Sequence, residues 1–143
     1  MAIYSFINND FLDVDESTKE INIIRFDSGT VNLISKIIYQ DQSEFDNVLG
    51  LIKKFDSEIK NFLNKNEHNP LYKNPVDYSK KYKKDKKKKK AVEIILVGLD
   101  LVNKLTDAVD KNLATIKFID GNPNHFEMWS FRLTSVKKFF ETL

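Results

Sequence analysis

Large apolar residues recur at every third or fourth position in two long stretches of this 143-residue chain, a spacing typical of amphipathic helices. The first stretch begins near Ser43, a suitable helix N-cap, and acidic residues follow it in the first turn. Its apolar stripe consists of Phe45, Val48, Leu49, Ile52, Phe55, Ile59, Phe62 and Leu63. The spacing predicts a helix over about 43–65.

The second stretch continues from Ala91 to Leu113, and its first half is apolar on nearly every side. A buried strand over 92–99 is the competing interpretation, but the uninterrupted stripe favours a helix over 89–114. A third helix is predicted over 124–142 by a terminal stripe. That stripe comprises Phe126, Trp129, Leu133, Val136, Phe140 and Leu143.

The first forty residues carry weaker signals. Residues 3–7 resemble a short strand, and segments 20–26 and 30–39 are compatible with either a hairpin or two helices joined by a turn. We favour a helix over 30–41, whereas 115–119 is either a helix tail or a short strand. The predicted fold class is therefore mainly α, an irregular helical bundle in which a small N-terminal β element is left open. The length fits a single domain, 1–143.

Charge is strongly segregated along the chain. Nine of the eleven residues from Lys80 to Lys90 are lysine, which gives this segment a net charge of +8. The remainder of the chain has a net charge of −6. The simplest interpretation is a solvated basic loop, at about 66–88, or a frayed helix start that self-repulsion keeps open. A second is contact with nucleic acid, and a third is weak attachment to an anionic membrane or an acidic protein surface. The candidate polyanion-binding residues are Lys80, Lys81, Tyr82, Lys83, Lys84, Lys86, Lys87, Lys88, Lys89 and Lys90.

The residue inventory argues against catalysis. The chain has no cysteine, four glycines without a phosphate-loop motif, and two histidines, His68 and His125, that lie far apart in sequence. An acidic segment near residue 13 superficially opens a calcium loop, but Thr18 and Ile24 occupy positions that need glycine and a carboxylate. We therefore expect no enzyme activity, no metal and no cofactor.

Membrane insertion and secretion are also not expected. The longest apolar run, 94–99, is far shorter than the roughly 20 residues that a spanning helix needs. The N-terminus has no basic start, so a secretory signal is not predicted. The expected location is cytoplasmic, without integral membrane association.

The predicted function is non-catalytic binding that occludes or scaffolds a macromolecular partner, with a protein as the first expectation. Bacterial immunity proteins and phage-encoded inhibitors offer an analogy in size and lack of motifs. The candidate partner-binding residues are Asp10, Asp13, Asp15, Glu16, Trp129 and Phe131, although Trp129 equally fits a core position.

Two further questions stay open. The alternative function is a nucleic-acid-binding accessory protein that uses the lysine-rich segment. Whether the chain self-associates is also open, since an apolar helical stripe can pack either in the core of a monomer or in the interface of a dimer.

Overall fold

The computed structural model describes residues 2–7, 10–62 and 85–141. Its elements are β1 Ala2–Ser5, β2 Asp10–Asp15, β3 Glu20–Asp27, β4 Thr30–Tyr39, α1 Gln42–Phe62, α2 Asp85–Asp110, β5 Ala114–Phe118 and α3 His125–Glu141. The strands form one antiparallel sheet in the order β1-β2-β3-β4-β5. The predicted mainly α helical bundle is therefore wrong, because the chain has a mixed α/β fold in which a five-stranded sheet accompanies three helices.

The predicted helix over 30–41 is wrong, because most of this segment is strand β4. The turn before it places two consecutive residues in the left-handed region, Ser28 at φ 49° and Gly29 at φ 83°. Two such residues form the type I′ turn, whose twist matches that of the flanking strands of a hairpin. Asp27 and Thr30 pair across the turn, and β3 and β4 continue from there as an antiparallel pair.

The three other predicted helices are confirmed, with ends that differ by a few residues. The N-cap of α1 is Asp41 rather than Ser43, because the Asp41 carboxylate accepts a 2.9 Å hydrogen bond from the backbone N–H of Glu44. The helix before β5 ends at Asp110, and the segment left open at 115–119 belongs to that strand.

All three helices bury apolar side chains against the same face of the sheet. Leu12, Ile21 and Ile37 from the strands share one buried cluster with side chains of every helix. The helix members include Phe45, Ile52, Phe55, Ile95, Leu101, Leu105, Trp129 and Leu133. Among the described residues no helix or strand covers the opposite side of the sheet, which we call the open face.

Gly98 allows α2 to approach its neighbours closely. A Cβ at this position would lie 2.9 Å from Phe55 Cε1 in α1 and 3.3 Å from Leu133 Cδ2 in α3. A larger residue would therefore require the side chains of Phe55 and Leu133 to shift. Of the helices in the described ranges, none is long and apolar enough to cross a membrane.

Candidate partner-binding surface

A buried carboxylate connects the sheet to α3. Asp10 is fully buried and accepts two hydrogen bonds from Arg25, from Nε at 2.6 Å and from Nη2 at 3.0 Å. The two residues are cross-strand partners in β2 and β3, so the strand register sets this two-point geometry. The hydrogen bond to Asp10 raises the pKa of the Arg25 guanidinium. Asp10, a predicted partner-binding residue, thus has its charge compensated inside the molecule.

Trp129, another predicted partner-binding residue, lies in the core at 1% exposure. Its indole N–H donates a 2.8 Å hydrogen bond to Asp10 Oδ2. Its ring packs edge-to-face on Phe6, with centroids 4.9 Å apart, and on Phe126 at 5.3 Å. The sequence left open whether Trp129 contacts a partner or belongs to the core. It lies in the core, so its side chain is not available to a partner in this conformation.

His125 stacks on Trp129, with ring centroids 5.8 Å apart and an interplanar angle of 23°. Its Nε2 lies 2.8 Å from Asp120 Oδ2. Burial opposes ionisation of Asp120, but hydrogen bonds from the Asn122 N–H and from His125 outweigh it and lower the pKa of the carboxyl. These contacts hold the start of α3 against the end of β5.

The carboxylates around His125 and Trp129 are bound by other side chains of the molecule. One nearby carboxylate, Asp120, is bound to His125 itself, and the other, Asp10, is bound to Arg25 and Trp129. Each polar group thus has a structural partner within a packed layer. In the stretches that the structure describes, no group of three or more histidine, aspartate or glutamate residues is placed to hold a metal ion.

Five large apolar side chains lie together on the open face, at the end nearest the β3–β4 turn. We call them the open-face patch, and they are Phe11, Ile24, Phe26, Val31 and Leu33. Strand register aligns them, since Phe11 pairs with Ile24, Ile24 with Leu33, and Phe26 with Val31. The rings of Phe11 and Phe26 pack edge-to-face at 4.9 Å, while Val31 and Leu33 remain 54% and 37% exposed. Contiguous apolar surface of this kind is typical of interaction sites.

Carboxylates occupy the other end of the same face, at the β2–β3 turn. We call this group the acidic hairpin end, and it consists of Asp13, Asp15, Glu16 and Glu20. The hydrogen bond from the Ser17 hydroxyl, 2.6 Å long, lowers the pKa of Asp15. Three of the four residues, Asp13, Asp15 and Glu16, were predicted from the sequence to bind a partner. They lie on or beside the open face and are half-buried or exposed.

The remaining predicted residues lie elsewhere. Phe131 is 72% exposed on α3 beside Met128 at 60%, so its role as a partner anchor stays a prediction. Lys80, Lys81, Tyr82, Lys83 and Lys84 lie outside the described residues, as do the side chains of Lys86, Lys87 and Lys88.

The end of the lysine-rich segment lies on α2. Lys89 is exposed, whereas the ammonium of Lys90 forms ion pairs with Glu58 of α1 and with Glu93, the latter at 3.8 Å. The hydrogen bond to Glu58 raises the pKa of Lys90. At least this one lysine is neutralised within the molecule.

Comparison of the chain with protein-family models, with curated proteins and with solved structures finds no match. A functional assignment must therefore come from the surface itself. The open-face patch was not predicted from the sequence, because recognising it requires the strand register of β2, β3 and β4.

Proposed function

We propose that this protein is a non-catalytic, cytoplasmic binding protein that occludes or scaffolds a protein partner through the open face of its sheet. One observation carries the proposal: one face of the sheet is buried beneath three helices, while the other carries the open-face patch, in which Phe11 is buried, Ile24 and Phe26 are half-buried, and Val31 and Leu33 are exposed. Exposing such side chains favours association with a second apolar surface. Immunity proteins and inhibitors remain the functional analogy.

The non-catalytic character is supported by how the polar groups are used. Arg25 and Trp129 both donate hydrogen bonds to Asp10, and His125 binds Asp120, so these groups contribute to packing between the sheet and α3. The open-face patch itself consists of apolar side chains, which provide contact area rather than acid–base chemistry.

The test is site-specific photo-crosslinking in an extract of the natural host. A photoreactive amino acid replaces Val31 on the open face and, as a control, Lys53 on the exposed side of α1. We expect a nuclease-resistant, protease-sensitive adduct from position 31 and none from position 53. Equal adducts from the two positions, or none from position 31, would contradict the proposal.

A matched pair of variants adds specificity to this test. Leu33→Asp places a charge on the open-face patch, whereas Leu96→Asp makes the same change at a 48% exposed position on α2. We expect Leu33→Asp to abolish the adduct from position 31 and Leu96→Asp to leave it intact. Circular dichroism and urea unfolding of both variants distinguish lost binding from lost folding.

The second candidate function is nucleic-acid binding by the lysine-rich segment, and its support is the net charge of +8 within eleven residues. Such binding would release counterions and weaken steeply with added salt. Replacing residues 86–90 with glutamine should abolish retention of an oligonucleotide at low ionic strength. Salt-insensitive or absent retention by the wild-type protein would remove this candidate.

A further inference from the structure

The acidic hairpin end brings like charges close together. Asp15 and Glu20 are direct cross-strand partners, so two like charges face each other on neighbouring strands. Like charges in this position destabilise an antiparallel pair. Asp13 lies two residues from Asp15 along β2, so its side chain lies on the same face of the sheet.

The molecule compensates for little of this charge. Lys36 lies 3.5 Å from Glu20, and it is the basic side chain that pairs with this group. Within the described ranges Asp13, Asp15 and Glu16 form no ion pair, and Asp13 Oδ1 is buried without a hydrogen-bond partner. A cluster of like charges that is offset only in part, by Lys36 at Glu20 and by Ser17 at Asp15, is typical of a functional surface.

The two features lie at opposite ends of one continuous surface. The open-face patch is at the β3–β4 turn, and the acidic hairpin end is at the β2–β3 turn. Ile3, which is 54% exposed, pairs with Asp13 and extends apolar surface towards the carboxylates. An occupant that matches this face must therefore combine apolar side chains with positive charge.

We propose that the open face docks a basic segment of a protein, whose large apolar side chains contact the open-face patch while its lysine or arginine side chains contact the acidic hairpin end. This inference rests on the proposed function and adds the chemistry of the partner. The carboxylates at the acidic hairpin end would repel nucleic acid and acidic proteins and attract basic ones, whereas Lys36 and Lys117 lie across the same face on β4 and β5.

The probe is a phage-displayed library of random peptides selected on the intact protein. Phage that also bind the Leu33→Asp variant are removed first, which discards ligands of the lysine-rich segment and of other surfaces. We expect the remaining peptides to be enriched in lysine and arginine together with aromatic or long aliphatic residues. Peptides of acidic or uncharged composition would overturn the inference while leaving the proposed function intact.

A charge-matched pair of variants provides the second readout. The test variant neutralises the acidic hairpin end with Asp13→Asn, Asp15→Asn, Glu16→Gln and Glu20→Gln. The control variant makes four changes at exposed helical positions, Asp46→Asn, Asp100→Asn, Asp107→Asn and Asp110→Asn. Both variants gain the same net charge, so a difference between them reports the position of the carboxylates rather than overall charge.

The expected outcome is a loss of affinity in the test variant alone. For synthetic copies of the selected peptides we expect about a tenfold weaker dissociation constant at about 50 mM salt and a smaller loss at about 500 mM. Equal affinities of the two variants would overturn the inference. A selection that yields no peptide specific for the open face would contradict both this inference and the proposed function.

Discussion

The indole N–H of Trp129 donates a 2.8 Å hydrogen bond to Asp10 Oδ2, which joins two residues that are 119 positions apart in the chain. The same carboxylate binds Arg25 at two points. One side chain therefore connects β2, β3 and α3, and its burial is tolerated because each oxygen has a donor.

Asp10→Asn should destabilise the protein strongly. The amide cannot accept from both Arg25 and Trp129 with the strength of a carboxylate, and it brings an N–H₂ group next to their donors. We expect a loss of about 2–3 kcal/mol in the free energy of unfolding, less than for a fully buried ion pair because Arg25 is partly exposed. Urea unfolding measures it, with Asp100→Asn as an exposed control; a loss equal to the control's would refute the structural role.

Trp129→Phe should remove less hydrogen-bond energy than Asp10→Asn. In this variant Asp10 Oδ2 still accepts the hydrogen bond from Arg25 Nη2. The smaller ring also leaves a cavity, so we expect a total loss of about 1–3 kcal/mol. Unfolding of the two single variants and the double variant gives the coupling energy between the residues. A coupling energy near zero would mean that the indole hydrogen bond contributes nothing.

The same substitution at two helical glycines should have opposite effects. Gly50→Ala in α1 meets no atom within 4 Å, so it should stabilise the protein by about 0.5–1 kcal/mol through the higher helix propensity of alanine. Gly98→Ala places its Cβ 2.9 Å from the Phe55 ring and should cost about 1–3 kcal/mol. Thermal unfolding compares them, and a stabilised Gly98→Ala variant would show that α1, α2 and α3 are less closely packed than described.

Tyr39→Phe should stabilise the protein. The Tyr39 hydroxyl is buried and has no hydrogen-bond partner among the described residues, so removing it relieves a desolvation cost of about 1 kcal/mol. Burial, with a further contribution from Glu44, raises the pKa of the Tyr39 phenol. The unfolded chain therefore ionises first, and wild-type stability falls as pH rises above about 10.

The Tyr39→Phe variant should lose less stability than the wild type at alkaline pH, because it has no phenol at position 39 to ionise. Urea midpoints at about pH 7 and about pH 10.5 measure both effects, with Tyr4→Phe as the control. A destabilised Tyr39→Phe variant at neutral pH would reveal a hydrogen bond to the hydroxyl.

Acid should weaken the junction between β5 and α3. The lowered pKa of Asp120 means that its contribution to stability is present above the unfolded-state pKa and is lost as pH falls through the lower folded-state pKa. The Asp120→Asn variant should therefore lose less stability than the wild type as the pH falls below about 4. Unfolding curves of both proteins across the acid range test this, and parallel pH profiles would contradict it.

The three long helices were predictable because their apolar stripes run for many turns without interruption. Strand β4 was mistaken for a helix for a local reason. A register shift opposite Ile23 and Ile24 allows Ile34 and Ile37 both to join the helix-covered core, three residues apart, which imitates helical spacing. The turn at Ser28 and Gly29 was the available signal for the hairpin.

The candidate surface was predictable only in part. Asp13, Asp15 and Glu16 were recognisable as a local acidic cluster from their spacing alone. Burial of Asp10 depends on contacts with Arg25 and Trp129 that no local pattern encodes, since they form only when the strands pair and α3 packs. The open-face patch likewise depends on register, because a shift by one residue would move Phe11 to the helix-covered face.

The most direct test is the dissociation constant between this protein and the host protein that crosslinks at position 31. It is measured for the wild type, for Leu33→Asp on the open face and for Leu96→Asp on α2. An open-face partner predicts that Leu33→Asp weakens binding by about tenfold or more, whereas Leu96→Asp leaves it within about twofold. Equal affinities for all three proteins, or a larger loss from Leu96→Asp, would contradict the open face as the partner-binding surface.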